Sequence, residues 1–509
     1  MQIGFINSIA TWWLNKRLSD LRLFIKNPVN TQEEQLNLLL NRAKHTVFGQ
    51  TYDFDRIKSI EDFQQAVPLQ NYESLFPYID RMMKGEPDVL WPGKIRWFAK
   101  SSGTTSAKSK FIPVSVEALE FNHYQGAKDV IAFYLRNHPG SKLLYGKTLK
   151  LGGSKKLLKY EDAYVGDLSA IMIDNMPFWS NFITVPEKKT ALMPEWEEKL
   201  DRIIDEALQS SLTGLAGVPS WMLMLLKEVL KRTGKNNILE VWPKLEVFFH
   251  GGVSFAPYKQ AYRELFPSDN FNYMEIYNAS EGFFALQDQK DSDELLLMLN
   301  YGIFYEFIPM DAYNGVNSTE IIPLKDVEPG KNYAMVISTN SGLWRYIIGD
   351  TVRFTSVHPY RIKITGRTKH YINVFGEEVM IENTDRAIEA ASRDTGALVK
   401  EYTVAPVFMD TAHKGAHEWM IEFEKEPEDF ERFKELLDQH LQNLNSDYEA
   451  KRYKNMTLEP PHIHKARPGL FYDWLKQKGK LGGQNKVPRL SNQRNFMEEL
   501  LQMNQFSGT

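Results

Sequence analysis

Cysteine is absent from the 509-residue sequence, which excludes a disulfide scaffold, a thiol nucleophile and zinc or iron–sulfur sites with cysteine ligands. A strong net charge is absent as well: 61 lysines and arginines face 65 aspartates and glutamates, a formal net charge of −4. Domains that bind nucleic acid are usually basic, so we expect no nucleic-acid partner. No stretch approaches the ~20 apolar residues of a membrane span, and the N-terminal stretch is too polar for a secretory signal. We therefore expect a soluble, cytoplasmic protein without membrane insertion.

The composition is that of a large folded protein. Hydrophobic residues make up 43% and charged residues 25% of the chain, and single hydrophobic cores stop growing at about 250–300 residues. Helical patterns alternate with short apolar strands as far as residue 366, which is typical of an α/β architecture. Beyond that point, two alternating strand patterns and a charged amphipathic helix indicate a smaller α+β domain. We predict a large multi-layer domain of sheets flanked by helices at residues 1–367 and a small domain at residues 368–509.

Local signals predict several element boundaries. The sequence Ser59-Ile60-Glu61-Asp62 predicts a capping box at the start of a short helix that ends before Pro68. Ser115 predicts the start of a longer helix that ends at residue 136. Periodicity predicts further helices over residues 196–208, 220–232 and 428–444, and strands over residues 246–250, 271–276, 333–339, 361–365, 401–409 and 418–424.

The strongest chemical signal is a segment rich in small hydroxyl residues at 98–110, which reads FAKSSGTTSAKSK. Small hydroxyl residues around a glycine allow backbone N–H groups to converge on an anion, while the hydroxyls donate further hydrogen bonds. The segment is not a Walker loop, because no G-x-x-x-x-G-K-[ST] pattern occurs. Its pattern favours a phosphate-binding loop over an ordinary Ser/Thr turn.

Two further segments place a carboxylate near a strand end. In the segment YNASEG at 277–282, Tyr277 could offer a flat face to a nucleobase, and Glu281 could hold a hard divalent cation that bridges phosphates. In the segment WRYIIGD at 344–350, Asp350 follows a glycine, and its carboxylate could accept hydrogen bonds from two ribose hydroxyls. Taken alone, each segment is equally compatible with a structural turn.

Two lysine-bearing stretches remain. Lys486 lies in the glycine-rich, proline-braced sequence GGQNKVPR at 482–489, which could deliver a lysine into a cleft but is also compatible with a surface lysine. A second stretch could bind phosphate, although we interpret it as a solvated surface segment; its lysines are Lys142, Lys147, Lys150, Lys155, Lys156 and Lys159.

Together and in this order, the segments resemble the adenylate-forming superfamily of acyl-CoA synthetases, nonribosomal adenylation domains and luciferases. The sequence TGRTK at 365–369 adds to this resemblance. Within the superfamily the chain is most similar to the auxin-responsive acyl acid–amido synthetases of plants and their bacterial relatives, through FQQAVPL at 63–69, PYIDRM at 77–82, LWPG at 90–93 and NKVPR at 485–489. The resemblance covers residues 30–490 and implies the adenylate-forming fold with a mobile small domain.

The resemblance implies an ATP-dependent ligase with two half-reactions. A carboxylic acid attacks the α-phosphorus of ATP, with Mg²⁺ as cofactor, and gives an acyl-adenylate and pyrophosphate. An amine, usually an amino acid in this family, then displaces AMP and forms an amide. The expected partners are therefore a small carboxylic acid and an amine, and we expect a monomer or weak dimer.

The resemblance also implies roles for individual residues. Lys486 and Lys110 are the expected catalytic residues, with Lys486 neutralising the charge that develops between the carboxylate and the α-phosphate. Glu281 would meet Mg²⁺. The expected nucleotide-binding set comprises Ser101, Ser102, Gly103, Thr104 and Thr105 at the phosphates, Tyr277 at the adenine, Asp350 at the ribose, Arg367 at the hinge-side edge, and Gly252 and Ser280. The loop departs from the family pattern at Ala107, where glycine is common, but this change removes no hydrogen-bond donor.

Two alternative functions remain open. An acyl-CoA ligase would share the first half-reaction and use a thiol acceptor, and a non-catalytic nucleotide- or acyl-binding protein would keep the fold without turnover. No motif identifies the acid, whose pocket we expect around residues 121–134, 165–172, 217–224 and 249–253. His413 and His417 have the spacing of a zinc helix, but no acidic residue lies between them, so we expect no zinc site.

Overall fold

The computed structural model of the chain describes residues 17, 19, 21–101, 110–152, 157–176, 180, 182–193, 196–253, 255, 258–368, 371–377, 379–410, 414–455, 457–478 and 488–505. The helices are α1 (Pro28–Ala43), α2 (Val47–Thr51), α3 (Ile60–Ala66), α4 (Tyr72–Met83), α5 (Val116–Ala118), α6 (Tyr124–Asn137), α7 (Leu168–Asn175), α8 (Lys188–Ala191), α9 (Trp196–Leu208), α10 (Pro219–Thr233), α11 (Ile238–Val241), α12 (Lys259–Leu265), α13 (Ile381–Thr395), α14 (Phe430–Leu444), α15 (Ser446–Arg452), α16 (Leu470–Gln477) and α17 (Asn495–Gln505).

The strands are β1 (Trp97–Ser101), β2 (Lys110–Val114), β3 (Lys147–Leu151), β4 (Leu158–Tyr160), β5 (Ala163–Gly166), β6 (Thr184–Val185), β7 (Leu212–Gly217), β8 (Val247–His250), β9 (Asn272–Ala279), β10 (Gly282–Leu286), β11 (Leu295–Leu297), β12 (Ile303–Pro309), β13 (Ile322–Pro323), β14 (Asn332–Thr339), β15 (Tyr346–Val357), β16 (Tyr360–Arg367), β17 (Tyr371–Ile372), β18 (Val379–Met380), β19 (Leu398–Val407), β20 (Ala416–Lys425) and β21 (His462–Ala466).

The largest sheet of the described residues has twelve strands in the order β13-β12-β14-β15-β16-β11-β10-β9-β8-β7-β3-β6. Its strands β6, β3, β7, β8 and β9 pair in parallel, whereas the strands from β9 to β13 pair antiparallel. The carboxyl ends of parallel strands lie at one edge of a sheet, which is where α/β proteins usually bind ligands. Smaller sheets join β2-β1-β5-β4, β17-β18 and β19-β20-β21.

Hydrogen-bonding caps explain why several helices begin and end where they do. Asp62 N donates to Ser59 Oγ over 3.0 Å and Ser59 N donates to Asp62 Oδ2 over 3.1 Å, so the predicted capping box before α3 is confirmed. Helix α10 ends at Gly234, whose φ of 64° lies in the left-handed region that favours glycine. The helix predicted from Ser115 is present, but residues 119–123 form a short π-helix between α5 and α6.

The two faces of the parallel half of the large sheet pack into two hydrophobic cores. Side chains alternate along each parallel strand, so Phe248 of β8 belongs to one core and its neighbour Phe249 to the other. The core around Phe248 also contains Val374 and Phe375, which follow β17. Tyr258 Oη donates to Val374 O over 2.7 Å. The segment after the predicted domain boundary is therefore packed against the parallel half of the sheet.

The predicted mixed α/β fold is confirmed, with a large sheet-bearing region followed by a smaller α+β region. Most predicted helices and strands are present with ends shifted by a few residues; for example, the strand predicted over 271–276 continues to Ala279 as β9. The domain boundary at residue 367 stays a prediction. Within the described ranges, no helix is long and apolar enough to cross a membrane.

A buried ion pair ties the N-terminal helices to the start of β15. Arg345 Nε and Nη2 each donate to the Glu306 carboxylate over 3.0 Å, and the two side chains are 3% and 1% exposed. Arg345 Nη1 also donates to the carbonyl oxygens of Gln64 and Val67, over 2.9 and 2.6 Å. The pair therefore connects β12, β15 and the end of α3.

We predict that Glu306→Gln lowers the free energy of unfolding by about 3–5 kcal/mol, because it leaves the Arg345 charge buried without its partner. The matched control is Glu86→Gln, which breaks the exposed pair of Arg81 and Glu86 and is expected to cost less than about 1 kcal/mol. Urea denaturation measures both variants. Equal losses in the two variants would contradict the structural role of the buried pair.

Candidate active site

Asp350 and Arg367 are brought together by the β15–β16 pair, in which they are register partners. Arg367 Nε donates to Asp350 Oδ1 over 2.6 Å, and the two side chains are only 15% and 10% exposed. Gly349 precedes Asp350 with a φ of 95°, a conformation that favours glycine. Its carbonyl oxygen accepts a hydrogen bond from Thr368 N over 2.8 Å. The backbone therefore holds the carboxylate and the guanidinium side by side.

The other oxygen of Asp350 accepts a hydrogen bond from Tyr277, whose Oη donates to Oδ2 over 2.6 Å. Burial, together with the charge of Asp350, raises the pKa of Tyr277 well above its usual range, so the hydroxyl stays protonated and donates. A carboxylate has about four acceptor positions. Because the two protein donors take one position on each oxygen, Asp350 keeps the capacity to accept two hydroxyl groups of a ligand.

Glu281 lies with Ser280 in the turn between β9 and β10. Asn122 holds this turn, since its Oδ1 accepts a hydrogen bond from Phe283 N over 2.7 Å and its Nδ2 donates to Phe283 O over 3.2 Å. Burial raises the pKa of the Glu281 carboxyl, while the positive charges of Lys110 and Arg367 oppose this shift. The turn therefore presents a half-buried carboxylate within electrostatic reach of two cations.

Lys110 begins β2 and is buried, with 6% of its surface exposed. Its Nζ donates to Tyr346 Oη over 3.2 Å and lies 5.8 and 5.9 Å from the ring centroids of Tyr72 and Tyr346. Ring faces attract a cation at such distances. Two aromatic side chains and a phenol oxygen therefore fix the position of the amine.

A cavity of about 130 Å³ adjoins these groups. Its wall contains both Lys110 and Arg367, as well as Glu73 at the start of α4. Ile347, Ile348 and Gly349 also line the wall. Two cations in the wall of one small cavity favour an anionic ligand.

The structure brings five of the predicted site residues together: Lys110, Tyr277, Glu281, Asp350 and Arg367. Ser280 is the neighbour of Glu281, and Gly252 follows β8 with a φ of 83° at the carboxyl edge of the parallel strands. A Cβ atom on the preceding Gly251 would lie 2.5 Å from Ile276 O, so β8 and β9 approach closely there. The proximity is a structural finding, whereas the binding roles of these residues stay predictions.

Part of the predicted phosphate-binding loop, Ser102, Gly103, Thr104 and Thr105, lies outside the described residues, as does Ala107. The two ends of the loop are described: Ser101 and Lys110 are register partners in the β1–β2 hairpin. The chain therefore leaves β1 and returns to β2 at the residue whose amine contacts Tyr346.

Lys486 also lies outside the described residues. The segment directly after it is held by β19, because Val404 N donates to Arg489 O over 2.9 Å and the Thr403 hydroxyl donates to Pro488 O. Arg489 stacks on Tyr402, with 4.4 Å between the guanidinium carbon and the ring centroid. The small C-terminal sheet therefore anchors the chain two residues beyond Lys486.

Sequence reasoning assigned no role to Tyr346 and Tyr72, the two aromatic residues that hold Lys110. Tyr346 lies in the segment that contains Asp350, so its proximity to the site follows from sequence position. Nothing in the sequence pattern connects Tyr72 with Lys110, because that contact depends on how α4 packs against β2. Tyr72 Oη accepts a hydrogen bond from Phe111 N over 2.9 Å, which fixes this packing.

The interpretation of the lysine-rich stretch as a solvated segment is wrong for one of its residues. Lys142 and Lys159 are exposed, but Lys150 on β3 is half-buried, and burial lowers its pKa to about 8. Lys155 and Lys156 lie outside the described residues. Strand β3 accounts for the difference, since one side of a central strand faces the interior.

The histidine pair considered for zinc is only partly described, because His413 lies outside the described residues. His417 Nε2 is 2.9 Å from Glu377 Oε1, and both side chains are fully buried. Glu377 also accepts hydrogen bonds from the backbone N–H groups of Val374 and Phe375, over 3.3 and 2.6 Å. These contacts give His417 of β20 a structural role, because it binds the segment that follows β17.

Comparison with protein-family models gives three matches along the chain. The GH3 family N-terminal domain matches residues 17–271, the GH3 family central domain residues 296–367, and the GH3 family C-terminal domain residues 382–495. A similar curated protein is the indole-3-acetic acid-amido synthetase GH3.4 of Arabidopsis thaliana. It is 24% identical over 567 residues, covering 96% of this chain and 94% of that protein.

Solved structures with the same fold include the GH3.15 acyl acid amido synthetase, with a TM-score of 0.61 and 17% identity over 96% of this chain and 95% of that one. They also include a 2-hydroxyisobutyryl-CoA ligase in complex with 2-HIB-AMP and CoA, with a TM-score of 0.57 and 13% identity over 95% of this chain and 93% of that one. The fold is therefore shared by an amide-forming and a thioester-forming enzyme.

We predict that Asp350→Asn raises the Kd for ATP roughly 10- to 100-fold, because hydrogen bonds to a charged acceptor contribute about 1.5–3 kcal/mol. Calorimetry with ATP and with its 2′-deoxy analogue measures the effect. Wild type should bind the deoxy analogue more weakly than ATP. The variant should bind the two nucleotides with similar Kd values, because it has already lost the hydrogen bond between the 2′-hydroxyl and the carboxylate.

The matched control is Asp326→Asn, which changes an exposed aspartate and should leave both Kd values unchanged. The role of Asp350 is contradicted if the Asp350→Asn protein still discriminates between ATP and the 2′-deoxy analogue as the wild type does.

Proposed function

The chain belongs to the GH3 family of acyl acid–amido synthetases, and from this premise we propose that it activates a carboxylic acid with ATP and transfers the acyl group to an amine. The observation that carries the proposal is the convergence of Tyr277, Arg367 and Asp350 in one hydrogen-bonded group. Lys110 and Glu281 lie within electrostatic reach of that group. A nucleotide offers hydroxyls and phosphates, and these residues supply the matching acceptors and cations.

In the first step, an oxygen of the substrate carboxylate attacks the α-phosphorus of ATP. The bond between the α-phosphorus and the bridging oxygen breaks, and pyrophosphate leaves with the bond electrons. Lys110 and the loop residues Ser101, Ser102, Gly103, Thr104 and Thr105 bind the β- and γ-phosphates. Asp350 accepts the ribose hydroxyls, Tyr277, Gly252 and Ser280 border the adenine, and Arg367 lies at the edge of the nucleotide. Lys486 stabilises the charge between the attacking carboxylate and the α-phosphate.

The donor set suits a magnesium ion. Mg²⁺ prefers oxygen ligands and is usually held by one or two carboxylates together with substrate phosphates. Glu281 would supply one such carboxylate. When bound, the ion would neutralise phosphate charge. Lys110 and Arg367 provide the remaining positive charge from the protein.

In the second step, an amine attacks the carbonyl carbon of the acyl-adenylate. The bond from that carbon to the AMP oxygen breaks, AMP leaves, and the nitrogen loses a proton as the amide forms. We propose that the amine belongs to an amino acid. The chain positions the mixed anhydride through the same contacts to ribose and α-phosphate, so both steps use one nucleotide site.

Residues 1–367 form the large domain of this proposal and residues 368–509 the small one, which carries Lys486. The small domain closes over the nucleotide for the first step and turns away for the second. We place the enzyme in the cytoplasm as a soluble monomer or weak dimer.

We predict that Lys486→Met lowers acid-dependent exchange of labelled pyrophosphate into ATP roughly 10²- to 10³-fold, since one electrostatic donor is lost. Amide formation from a supplied acyl-adenylate should change little, because Lys486 serves only the first step. Lys476→Met is the control, as Lys476 is exposed on α16. An equal loss in both half-reactions would contradict the assigned role, and no exchange by wild type with any acid would favour a non-catalytic binding protein.

The acceptor of the acyl group, an amine or the thiol of CoA, distinguishes this proposal from an acyl-CoA ligase. That second candidate is supported by the fold shared with the 2-hydroxyisobutyryl-CoA ligase. We predict that adding mixed amino acids to enzyme, acid and ATP gives an amide and AMP, measured by mass spectrometry. Adding CoA instead should give no thioester. If CoA gives a thioester and no amino acid gives an amide, the chain is an acyl-CoA ligase and the proposal is wrong.

A further inference from the structure

Lys150 faces the side of the parallel sheet on which the acyl pocket is expected. In β3 its neighbours Leu149 and Leu151 belong to the core on the opposite side. Lys150 is in register with Ala216 of β7, and Ala216 with Phe249 of β8, and both of these pack against the other core. Because side chains alternate along strands, Lys150 projects to the face that α6 and α7 cover.

That face is incompletely packed at the ends of β3 and β7. Residues there are only half-buried although they lie between the sheet and helices: Gly152, Ser169, Met172, Ala216, Gly217 and Val218. A Cβ atom on Gly152 would lie 3.1 Å from Ser169 Cβ, so α7 crosses directly over the end of β3. Tyr124 of α6 donates to Met172 O over 2.7 Å and joins the two covering helices. We call this group of half-buried residues the β3 cleft.

The amine of Lys150 makes no hydrogen bond and no ion pair with any residue in the described part of the chain. Lys150 is half-buried by area, and burial lowers its pKa to about 8. The other lysine at this strand end has partners. Lys199 Nζ donates to Gly152 O over 3.2 Å, and the negative charge of Asp167 partly offsets the lowering of the Lys199 pKa by burial. Among the described residues, the positive charge of Lys150 therefore has no counter-charge.

The β3 cleft and the candidate nucleotide site meet at the same edge of the sheet. Strands β3, β7, β8 and β9 run in parallel, so their carboxyl ends lie together. Gly252 follows β8, and Tyr277 lies near the end of β9. An acid bound in the cleft can therefore extend its reacting carboxylate toward the nucleotide while its other end points along β3.

We propose that Lys150 is a specificity-determining residue that binds a second carboxylate on the acid substrate, so that the preferred substrates are dicarboxylic acids. The proposal rests on the proposed function, because it concerns the acid that is adenylated. A partly buried cation is costly when unpaired and gains strongly from an anion. A purely apolar acid would leave the Lys150 charge without a partner, whereas a dicarboxylate supplies one.

The test uses pyrophosphate exchange without any amine, with matched acids: hexanoate against adipate and benzoate against terephthalate. The proteins are wild type, Lys150→Met, Lys150→Arg and the control Lys142→Met, which changes an exposed lysine of the same stretch. Methionine keeps the unbranched shape without the charge. Wild type and the control should prefer the dicarboxylate, and Lys150→Met should lower kcat/KM for it roughly 10- to 100-fold while leaving the monocarboxylate unchanged or improved. Lys150→Arg should restore part of the preference.

Several results would overturn the proposal. One is an equal effect of Lys150→Met on both acids of a pair. Another is that Lys150→Met leaves the exchange reaction unchanged but raises the KM for the amino acid, which would mean that Lys150 binds the carboxylate of the amino acid. If wild type shows no exchange with any acid, the proposed function fails. Calorimetry of adipate and hexanoate in the presence of ATP then tests Lys150 alone: tighter binding of adipate that Lys150→Met removes supports the subsite, and no difference between the acids contradicts it.

Discussion

The hydrogen-bonded group of Tyr277, Asp350 and Arg367 is the constraint on which the rest of the site depends. Each oxygen of one buried carboxylate accepts a short hydrogen bond, one from the end of β9 and one from the end of β16. Three strands of the large sheet are thereby fixed relative to each other at the edge where ligands of α/β proteins bind. The arrangement prepares acceptor positions for a polyhydroxylated ligand without leaving the carboxylate unpaired beforehand.

Alternating charges give this edge its chemical character. Glu281 lies within electrostatic reach of Lys110 and Arg367, and Arg367 in turn is bonded to Asp350. A site of this kind can accept a highly charged nucleotide, because the cations meet phosphates while the carboxylates take a metal ion or hydroxyls. The described residues of the site are held by their neighbours. Tyr346 and Tyr72 hold Lys110, and the buried pair of Arg345 and Glu306 fixes the strand that carries Asp350. The groups are therefore preorganised before a ligand arrives.

Features that depend on neighbouring residues in the sequence were predictable, whereas roles that depend on packing between distant segments were not. The capping box of Ser59 and Asp62 is a short-range signal and appears as expected. Asp350 and Glu281 could be singled out through the resemblance to a known family, because each segment taken alone is also compatible with a structural turn. Lys150 was misjudged, since its character depends on which side of β3 it faces, and the charged stretch around it hides the strand pattern. Tyr72 reaches Lys110 only through the packing of α4 on β2, which no spacing rule encodes.

Our central proposal is that the carboxylate of Asp350 and the amine of Lys110 bind the two ends of the same nucleotide. A crystal structure of the full chain with a non-hydrolysable ATP analogue and Mg²⁺ tests it most directly. The account predicts ribose hydroxyls within hydrogen-bond distance of Asp350, with the terminal phosphates beside Lys110. A nucleotide bound elsewhere, or one whose ribose turns away while Asp350 keeps only Tyr277 and Arg367 as partners, would contradict it.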